Sequence, residues 1–391
     1  MNVPKLRFKE FNDEWCLKTL NELYTFKNGI NGDRTQFGKG IKFISVGDIL
    51  NNNYITYDKI KGLINIDEKT LYENSVEFGD VLFQRSSETR KEIGMSNIYL
   101  DNKLSTFGGF VIRGKKNKDN INNPSFINYL LRSQTVRRDI VFRGAGAQHY
   151  NIGQEDLKKV SINLPSLAEQ DKISKILTLL DKKIELQTKK IEDLKLFKLE
   201  LREKMFSIYK TEEIELGDVL VKWNKKNKNN DYNYVESVSN KFGFIAQSDQ
   251  FEERNVASSN TRNYYVIEKG VFAYNPSRLN VGSLALKQNE RVSLVSPLYE
   301  CFTTNQNNLY LLEWFNSKEF KKGTISKFEG GVRNTLNFTN LCKIKISLPS
   351  KQDQDIIAKV LNIYNNLIGL ESLKLSKLNK LKKGLMQKMF I

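Results

Sequence analysis

Two short motifs in this sequence are of the kind that performs methyl-transfer chemistry. Residues 142–146 (FRGAG) fit the FxGxG pattern of S-adenosylmethionine sites, and residues 275–278 (NPSR) follow part of the NPP-aromatic pattern used by amino-methyltransferases. A short motif predicts a site only in its structural context. The first motif follows a helix-like segment where a buried strand is required, and the second lacks both the second proline and the aromatic residue that stacks on a flipped base. A free-standing adenine DNA methyltransferase therefore stays only as an alternative.

The residues that usually carry acid–base, nucleophilic or metal chemistry are few and scattered. His149 is the only histidine and has no evident nucleophile as a partner, so we expect it at the surface or facing DNA. Cys16, Cys301 and Cys342 form no CxxC pair, which excludes a zinc site of the usual spacing, and we expect buried thiols. The sequence thus offers no catalytic residue, no metal site and no cofactor site of its own.

The charge balance favours a polyanionic partner. The chain has 62 Lys and Arg against 45 Asp and Glu, a formal net charge of +17, which points to nucleic acid, with a basic surface that merely aids solubility as the alternative. Residues 1–15 are charged throughout and do not form a signal peptide, and no apolar run approaches the length of a membrane span. With its few cysteines, the chain is expected to be cytoplasmic, with no membrane partner.

The chain repeats itself at a spacing of 184 residues. Residues 162–166 (INLPS) recur as 346–350 (ISLPS), and 204–206 (KMF) recur as 388–390. Aligned without gaps, residues 160–206 and 344–390 are identical at 18 of 47 positions. Such self-similarity indicates a duplicated unit, in which a variable region of about 150 residues precedes a matched tail of about 45.

The matched tails are predicted to be long helices. Ser166 and Ser350 each stand three residues before an acid, as helix N-caps do, and a proline before each serine closes the preceding strand. Apolar residues then follow a heptad, which predicts an antiparallel coiled coil of the two tails, roughly 60 Å long and thus longer than the roughly 34–36 Å of one DNA turn. The predicted apolar seam consists of Ile173, Leu177, Leu180, Ile184, Ile191, Leu194, Leu201, Met205, Ile357, Leu361, Tyr364, Ile368, Leu375, Leu378, Leu385 and Met389.

Four polar residues interrupt this seam at matching positions and suggest a register. Gln187 and Glu371 occupy a positions, whereas Lys198 and Lys382 occupy d positions. Because a faces d in an antiparallel pair, one register places Lys198 against Glu371 and Gln187 against Lys382. The alternative is that all four side chains tilt into solvent at the edge of the seam.

The variable regions are predicted to be globular heads. Head 1 (residues 1–160) precedes the first helix (161–210), and head 2 (211–344) precedes the second (345–391). Each head combines short strand-like runs, among them 309–312, with one helix, at about 124–142 and 311–322. The predicted fold class is α+β, with two similar globular domains joined by two long antiparallel helices that form a coiled coil, in an internal pseudo-two-fold repeat.

The loops of both heads are rich in basic and amide side chains. Arginine can bond guanine, asparagine or glutamine can bond adenine, and lysine clusters suit phosphates. For any single residue a solvated surface charge is the commoner role, and we expect about a third of the set to contact DNA, mostly its backbone. The two heads share few of these residues, so their half-sites are expected to differ. The candidates are Lys27, Asn28, Arg34, Gln84, Arg85, Ser86, Arg90, Lys91, Arg113, Gln148 and His149 in head 1, and Lys222, Asn224, Lys225, Lys226, Lys228, Arg262, Asn275, Arg278, Asn280, Arg333 and Asn334 in head 2.

Several of these features together resemble the specificity subunits of Type I restriction enzymes. They are residues 3–8 (VPKLRF) with Trp15, the paired LPSxxxQ segments 164–170 and 348–354, and the duplicated plan of head and helix. The similarity spans the whole chain. Residues 275–278 also resemble second-head sequences of that family, which further weakens the methyltransferase alternative.

The resemblance implies a role in DNA recognition. Each head would be a target-recognition domain that binds one part of a bipartite, asymmetric site in double-stranded DNA through the major groove. The matched helices would set the spacer and bind two methyltransferase subunits, and motor-nuclease subunits would complete the restriction complex. S-adenosylmethionine and the methylation of adenine would belong to the partner, so this chain would be non-catalytic. A coiled-coil adaptor that binds nucleic acid in another context is the second alternative.

Overall fold

The computed structural model of the chain describes residues 3–146, 149–209, 211, 213–240, 243–247, 260–325, 327 and 335–391. The chain divides into two compact units. Unit 1 comprises Met1–Thr188 and Leu373–Ile391, and unit 2 comprises Lys189–Ser372. Head 1 thus lies in unit 1 and head 2 in unit 2, and each unit takes in segments of both predicted long helices.

Head 1 is a mixed structure of short strands and short helices. Its strands are β1 (Cys16–Thr19), β2 (Tyr24–Asn28), β3 (Phe37–Ile44), β4 (Gly62–Ile64), β5 (Val81–Gln84), β6 (Ser86–Ser87), β7 (Ser96–Ile98), β8 (Thr106–Phe107), β9 (Val111–Lys116), β10 (Tyr150–Asn151) and β11 (Ser161–Leu164). Its α-helices are α1 (Leu20–Leu23), α2 (Val46–Leu50), α3 (Glu68–Glu73), α4 (Pro124–Leu131), α5 (Gln134–Arg143) and α6 (Gln154–Lys158), and 3-10 turns cover Arg34–Gln36 and Tyr57–Lys59.

The centre of head 1 is a four-stranded antiparallel sheet. Its strands lie in the order β2-β9-β5-β7, and a second sheet has the order β4-β3-β8. All four residues of β5 are buried, because both faces of this strand are covered. β1 pairs with β11, which brings the two ends of the head together directly before the first long helix.

Head 2 follows the same plan with fewer elements among its described residues. Its strands are β12 (Glu213–Glu215), β13 (Leu220–Lys222), β14 (Glu236–Ser239), β15 (Gly243–Ala246), β16 (Tyr265–Ile267), β17 (Phe272–Tyr274), β18 (Leu284–Leu286), β19 (Ser293–Val295), β20 (Glu300–Thr304) and β21 (Lys345–Ser347). Its α-helices are α8 (Asn308–Trp314), α9 (Lys318–Ile325) and α10 (Phe338–Cys342), and 3-10 turns cover Leu216–Asp218 and Pro276–Val281.

The sheet order of head 2 matches that of head 1. Its central sheet has the order β13-β20-β17-β18, the counterpart of β2-β9-β5-β7, and β12 pairs with β21 as β1 pairs with β11. The internal repeat therefore extends through the heads, where the sequence alone shows it only faintly.

Two long helices follow the heads, as the N-cap pattern predicts. They are α7 (Leu167–Ile208) and α11 (Lys351–Lys388). The Ser166 hydroxyl accepts the backbone N–H of Glu169 at 3.4 Å, and the Ser350 hydroxyl accepts that of Asp353 at 3.2 Å. Each serine thus satisfies an N–H group that the first turn of a helix leaves unpaired.

Within each unit the two helix segments run antiparallel. In unit 2, Lys190 contacts Glu371, and the later residue Phe197 packs on the earlier residue Tyr364, so α7 and α11 run in opposite directions. In unit 1, Asp181 contacts Lys382, while Ile173, earlier in α7, shares a core with Met389. The sixteen predicted seam residues are all buried or half-buried.

The repeated Lys-Met-Phe sequence closes each head with the far end of a long helix. Phe390 packs against Trp15 and Phe126 of head 1, with ring centroids 6.5 and 5.6 Å apart. Phe206 packs edge-on against Tyr310 of head 2 at 5.5 Å. Because each of these phenylalanines is buried, the same motif completes a core in each unit.

Some of the local predictions are wrong. Residues 309–312 lie in helix α8 and not in a strand, because the Asn307 side chain accepts the N–H groups of Leu309 and Tyr310 and so caps a helix there. The single helix predicted in each head is two helices, α4 with α5 and α8 with α9. Cys301 is buried as expected, whereas Cys16 is exposed on β1 and Cys342 is half-buried.

Candidate nucleic-acid interface

The start of α7 is bonded to head 1 through a glutamine that the sequence repeats. Gln170 accepts the backbone N–H of Asn123 at 3.0 Å and donates to the side chain of Asn122 and the carbonyl of Pro165. The neighbouring Asp171 accepts from the Asn123 side chain at 2.7 Å. Since Asn123 also caps α4, one set of bonds fixes the head helix on the long helix.

The start of α11 carries the same set of bonds to head 2. Gln354 accepts the N–H of Asn307 at 3.1 Å and donates to Gln306 and the carbonyl of Pro349, and Asp355 accepts from the Asn307 side chain at 2.6 Å. We call these two sets the helix-start clamps. They explain why the Gln-Asp pair recurs in the sequence.

The predicted register of the coiled coil is wrong. Glu371 lies 3.0 Å from Lys190, about one heptad before Lys198, and Lys198 instead bonds Glu313 of head 2 at 2.7 Å. Lys382 lies 2.5 Å from Asp181, which is about 9 Å along the helix axis from Gln187. The heads supply partners for the two seam lysines, and a prediction based on two helices alone does not include them.

Most of the described candidates in head 1 lie on the surface. Asn28, Arg34, Arg85, Arg90, Lys91 and His149 are exposed, and Lys27 and Ser86 are half-buried. Gln84 and Arg113 are corrections, because they are 4% and 6% exposed and bond the backbone carbonyls of Ser86 and Ser75. These two side chains hold the central sheet and are not presented to a ligand. Gln148 lies outside the described residues.

The structure brings three head 1 candidates to one edge of the sheet. The backbone of Arg85 is held between Phe110 and Ile152 by bonds of 2.9 and 3.0 Å. Ser86 donates to the side chain of Asn151, whose amide reaches the carbonyl of His149 at 3.4 Å. Arg85, Ser86 and His149 therefore form a common polar edge of arginine, hydroxyl and imidazole groups.

Arg137 positions a second basic loop, and the candidate set does not include it. Its guanidinium donates to the carbonyls of Lys91, Ile93 and Gly94 at 2.7 to 2.9 Å, and burial lowers its pKa to about 10. It thereby fixes the loop that presents Arg90 and Lys91. The sequence signal was the Arg137-Arg138 pair, which matches a Lys-Lys pair in the second repeat.

In head 2 the structure brings five exposed basic candidates near one another. Lys222 ends β13, and Lys225, Lys226 and Lys228 follow it. A bond of 3.1 Å joins Asn227 to Thr261, beside exposed Arg262. Asn227, buried and absent from the candidate set, also donates to the carbonyl of Tyr232. It holds the lysine segment against the loop at 260–264.

These lysines already have acidic or aromatic neighbours in the protein. Lys222 lies 3.1 Å from Glu300, Lys225 pairs with Glu268, and Lys226 lies 5.7 Å from the ring centre of Tyr265. The ion pair with Glu268 raises the pKa of Lys225. A DNA phosphate would therefore replace existing partners of these ammonium groups.

The remaining head 2 candidates are placed in part. Asn224 and Arg278 are exposed, and half-buried Asn275 caps the 3-10 turn at Pro276–Val281 by accepting the N–H of Ser277 at 3.0 Å. Arg333 and Asn334 lie outside the described residues, as does the side chain of Asn280. Residues 142–146 begin at the end of α5 and not after a buried strand.

The part of the chain that the structure describes holds no group of three or more His, Cys, Asp or Glu side chains that could bind a metal ion. Among its helices, none combines the length and the apolar character that a membrane span requires.

Curated relatives match parts of this chain. A Type I restriction enzyme specificity subunit, MjaIX of Methanocaldococcus jannaschii, is 29% identical over 241 residues, which are 58% of this chain and 53% of that protein. A putative specificity subunit, MjaX of the same organism, is 39% identical over 82 residues, 21% of this chain and 19% of that protein. The chain thus matches about half or less of the length of these relatives.

Solved structures resemble the whole chain. The S subunit of a Type I restriction-modification system from M. genitalium superposes with a TM-score of 0.60 at 16% identity, covering 100% of this chain and 99% of that one. A chain from work on complex assembly in a type I R-M system superposes with a TM-score of 0.56 at 15% identity, covering 97% and 98%. At these identities the likeness concerns the fold.

A family model decides the affiliation. The model described as the Type I restriction modification DNA specificity domain matches residues 12–196 and again residues 210–380. Each match contains one head and most of the long helix that follows it. This chain therefore belongs to the family of Type I restriction modification DNA specificity domains and contains two copies of that domain.

Proposed function

We propose that this chain is the DNA-specificity subunit of a Type I restriction-modification complex and recognises a bipartite, asymmetric site in double-stranded DNA. One observation carries the proposal: two heads of the same plan are held by helix-start clamps with the same pattern of bonds, yet they present different exposed residues. Identical mountings with unlike surfaces fit two half-sites of different sequence on one scaffold. The net charge of +17 favours the polyanionic partner.

The proposal assigns the chemistry to partners. Two methyltransferase subunits would carry S-adenosylmethionine and methylate adenine, motor-nuclease subunits would complete the restriction complex, and this chain would be non-catalytic. Its long helices would set the spacer, since a helix of 42 residues such as α7 rises about 63 Å, nearly two turns of DNA.

An apolar stripe that occurs once in each unit supports two copies of one partner. Leu179 and Leu186 of α7 are 59% and 60% exposed, one heptad apart and outside the seam. Ile363 and Leu370 of α11, which stand 184 residues later, are 56% and 59% exposed. Exposed leucine and isoleucine at regular spacing are typical of a surface that another protein covers.

The stripe makes the number of partners testable. In the co-expressed complex, Leu179→Glu with Leu186→Glu should reduce the bound methyltransferase subunits from two to one, and Ile363→Glu with Leu370→Glu should do the same. Native mass spectrometry measures the ratio, and Lys175→Glu with Lys182→Glu, exposed on the same helix, is the control. Two bound subunits in both stripe variants would contradict this role.

Methylome sequencing tests the function itself. Cells that carry the gene with its partner genes should show one bipartite methylated motif that disappears when this gene is deleted. Replacing residues 20–160 with a different head that has asparagine at position 123 keeps β11, the clamp and the N-terminal segment. This replacement should change one half of the motif and leave the other half intact. A change in both halves would contradict the modular mechanism.

A further inference from the structure

Head 1 meets the long helices of unit 1 at a buried charge cluster, which we call junction 1. The hydroxyl of Tyr129 donates to Asp181 at 2.8 Å, and Lys382 lies 2.5 Å from the same carboxylate. Arg132, at the end of α4, adds a second positive charge that acts on Asp181. Asp181 is only 5% exposed, so its charge depends on these neighbours.

Head 2 meets the long helices of unit 2 at a second cluster, which we call junction 2. Here the buried carboxylate is Glu313, which accepts from Lys198 at 2.7 Å and from Asn365 at 2.9 Å. Arg202 lies 3.7 Å from the other oxygen of Glu313. Arg202 also lies 3.3 Å from Glu203, its neighbour on the same helix. Junction 2 therefore also surrounds one buried carboxylate, Glu313, with two cations.

The two junctions occupy the same positions of the internal repeat, but their charges are arranged differently. Each junction has a lysine on a long helix, whereas the carboxylate is on the long helix in junction 1 and on the head in junction 2. The second cation is on the head in junction 1 and on the long helix in junction 2. The corresponding pairs, each separated by 184 residues, are Tyr129 and Glu313, Asp181 and Asn365, Lys198 and Lys382, Arg132 and Asn316, and Arg202 and Met386.

We propose that the junctions form a charge code that makes each head fit only its own pair of helix segments, and so fixes the order of the heads along the chain. On the helix segments of unit 2, head 1 would bring Arg132 to Lys198 and Arg202, without the buried carboxylate of Glu313. Glu203, which already pairs with Arg202, would remain there. On the helix segments of unit 1, head 2 would put Glu313 beside Asp181. Each native junction surrounds one buried carboxylate with two cations, whereas each mismatch either removes that carboxylate or places a second carboxylate beside it.

The junction residues are not among the candidate DNA contacts. The helix-start clamps are the same in both units and so cannot distinguish the heads, which leaves the junctions as places where the mountings differ. The consequence is a difference in stability that exists without DNA, and a failure of the proposed function would leave it unchanged.

The test is a double-mutant cycle in junction 1 of the full chain. Asp181→Asn leaves two cations without their carboxylate, and Tyr129→Glu adds a second carboxylate, so each should lower the midpoint of thermal unfolding by about 5 °C or more. The double variant Tyr129→Glu with Asp181→Asn recreates the pair of junction 2 and should recover at least half of the summed loss. Tyr129→Gln with Asp181→Asn, which has the same shape without the charge, should not recover.

Two results would overturn the proposal. One is that the losses of the two single variants simply add in the double variant. The other is that Tyr129→Glu with Asp181→Asn is no more stable than its control, Tyr129→Gln with Asp181→Asn. If the single variants of junction 1 do not yield folded protein, the reciprocal cycle decides. There, Asn365→Asp should restore stability to Glu313→Gln, and no restoration would overturn the proposal.

A second test asks whether the same two substitutions stabilise a chain with exchanged heads and destabilise the native chain. In a chain whose heads are exchanged between residues 20–160 and 216–344, Asp181→Asn together with Asn365→Asp should raise the soluble yield and the unfolding midpoint. The same two substitutions should lower both in the native order. The same sign in both chains would contradict the charge code.

Discussion

The two repeats use the same bonds at the start of each long helix and different residues on the exposed edges of the heads. The glutamine bond to the asparagine cap measures 3.0 Å in unit 1 and 3.1 Å in unit 2. Exposed Arg85 follows strand β5 of head 1, whereas half-buried Asn275 follows strand β17 of head 2. The bonds that attach the heads to the long helices are shared, whereas the exposed residues of the two heads differ, as expected for two recognition modules on one scaffold.

Substitutions that break the clamps are expected to cause the largest loss of stability among the variants that test this comparison. Gln170→Leu and Gln354→Leu each remove three hydrogen bonds from a residue that is 1% exposed and leave a backbone N–H and a carbonyl without their partner. We expect each variant to lower the free energy of unfolding of its unit by about 3 kcal/mol, with equal losses in the two units. Hydrogen–deuterium exchange, followed peptide by peptide, measures the loss in each unit separately.

The matched controls are Lys175→Ala and Lys359→Ala, exposed residues 184 apart on the same helices, which should change stability by less than about 0.5 kcal/mol. A clamp variant that destabilises one unit and spares the other would show that the clamps, though alike in geometry, do not bear equally on the two heads.

The parts that could be predicted from the sequence are those that depend on local patterns. The serine caps, the long helices and the heptad seam depend on residues close together in the chain, so periodicity is sufficient to predict them. The repeat itself supplied the equivalence of the two units. Faint sequence similarity in the heads still corresponds to a common sheet order.

The parts that could not be predicted depend on contacts distant in sequence. The register failed because Lys198 and Lys382 bond groups at the junctions, at Glu313 and Asp181, that a two-helix pattern does not contain. The sequence predicts DNA contacts at Gln84 and Arg113, which are buried, because residue type indicates chemistry but not burial. Asn227 and Arg137 were missed because their role is to hold a loop, which composition does not reveal.

A buried acid distinguishes the heads directly before equivalent strands. Asp80 precedes β5 and accepts backbone N–H groups of Glu77 and Lys116, whereas the buried, apolar Val271 occupies the matching place directly before β17 in head 2. Burial raises the pKa of Asp80 from 3.8 to about 6, against the opposing effect of those N–H groups and of Arg113. In the unfolded chain this carboxyl ionises near pH 4, so head 1 loses stability as pH rises from about 4 to about 6.

Asp80→Asn should remove this pH dependence and, with it, this difference between the heads. Relative to the unaltered chain, the free energy of unfolding of the variant should rise by about 2 kcal/mol between pH 4 and pH 7, since a neutral amide avoids the cost of burying charge. Urea unfolding at each pH measures the difference. A difference that stays constant across this range would contradict the raised pKa.

A smaller contrast separates two acids at equivalent positions in the first turns of the long helices. Glu169 is buried and forms a two-bond ion pair with Arg7 at 2.9 and 2.8 Å, whereas half-buried Asp353 bonds the nearby cap Ser350. Glu169→Ala should cost about 2 kcal/mol and Asp353→Ala about 0.5 kcal/mol. A cycle with Arg7→Ala should give a coupling of about 1.5 kcal/mol, and near-additive losses would count against the ion pair as the cause.

The smallest expected effect concerns the lysine segment of head 2 and tests whether its contacts carry sequence information. Lys225→Gln with Lys226→Gln should reduce the slope of log affinity against log salt by up to about 1.8 in the assembled complex, because each phosphate contact releases about 0.9 counterion. The measured change should be below that limit, since Lys225 exchanges Glu268 for a phosphate and the free protein already satisfies part of its charge. The methylated motif should be unchanged, whereas Arg85→Gln in head 1 should relax one position of its half-site if the arginine bonds a base. If the lysine variant alters the motif as well, the segment contacts bases, and the two heads differ in which elements recognise DNA as well as in which residues do so.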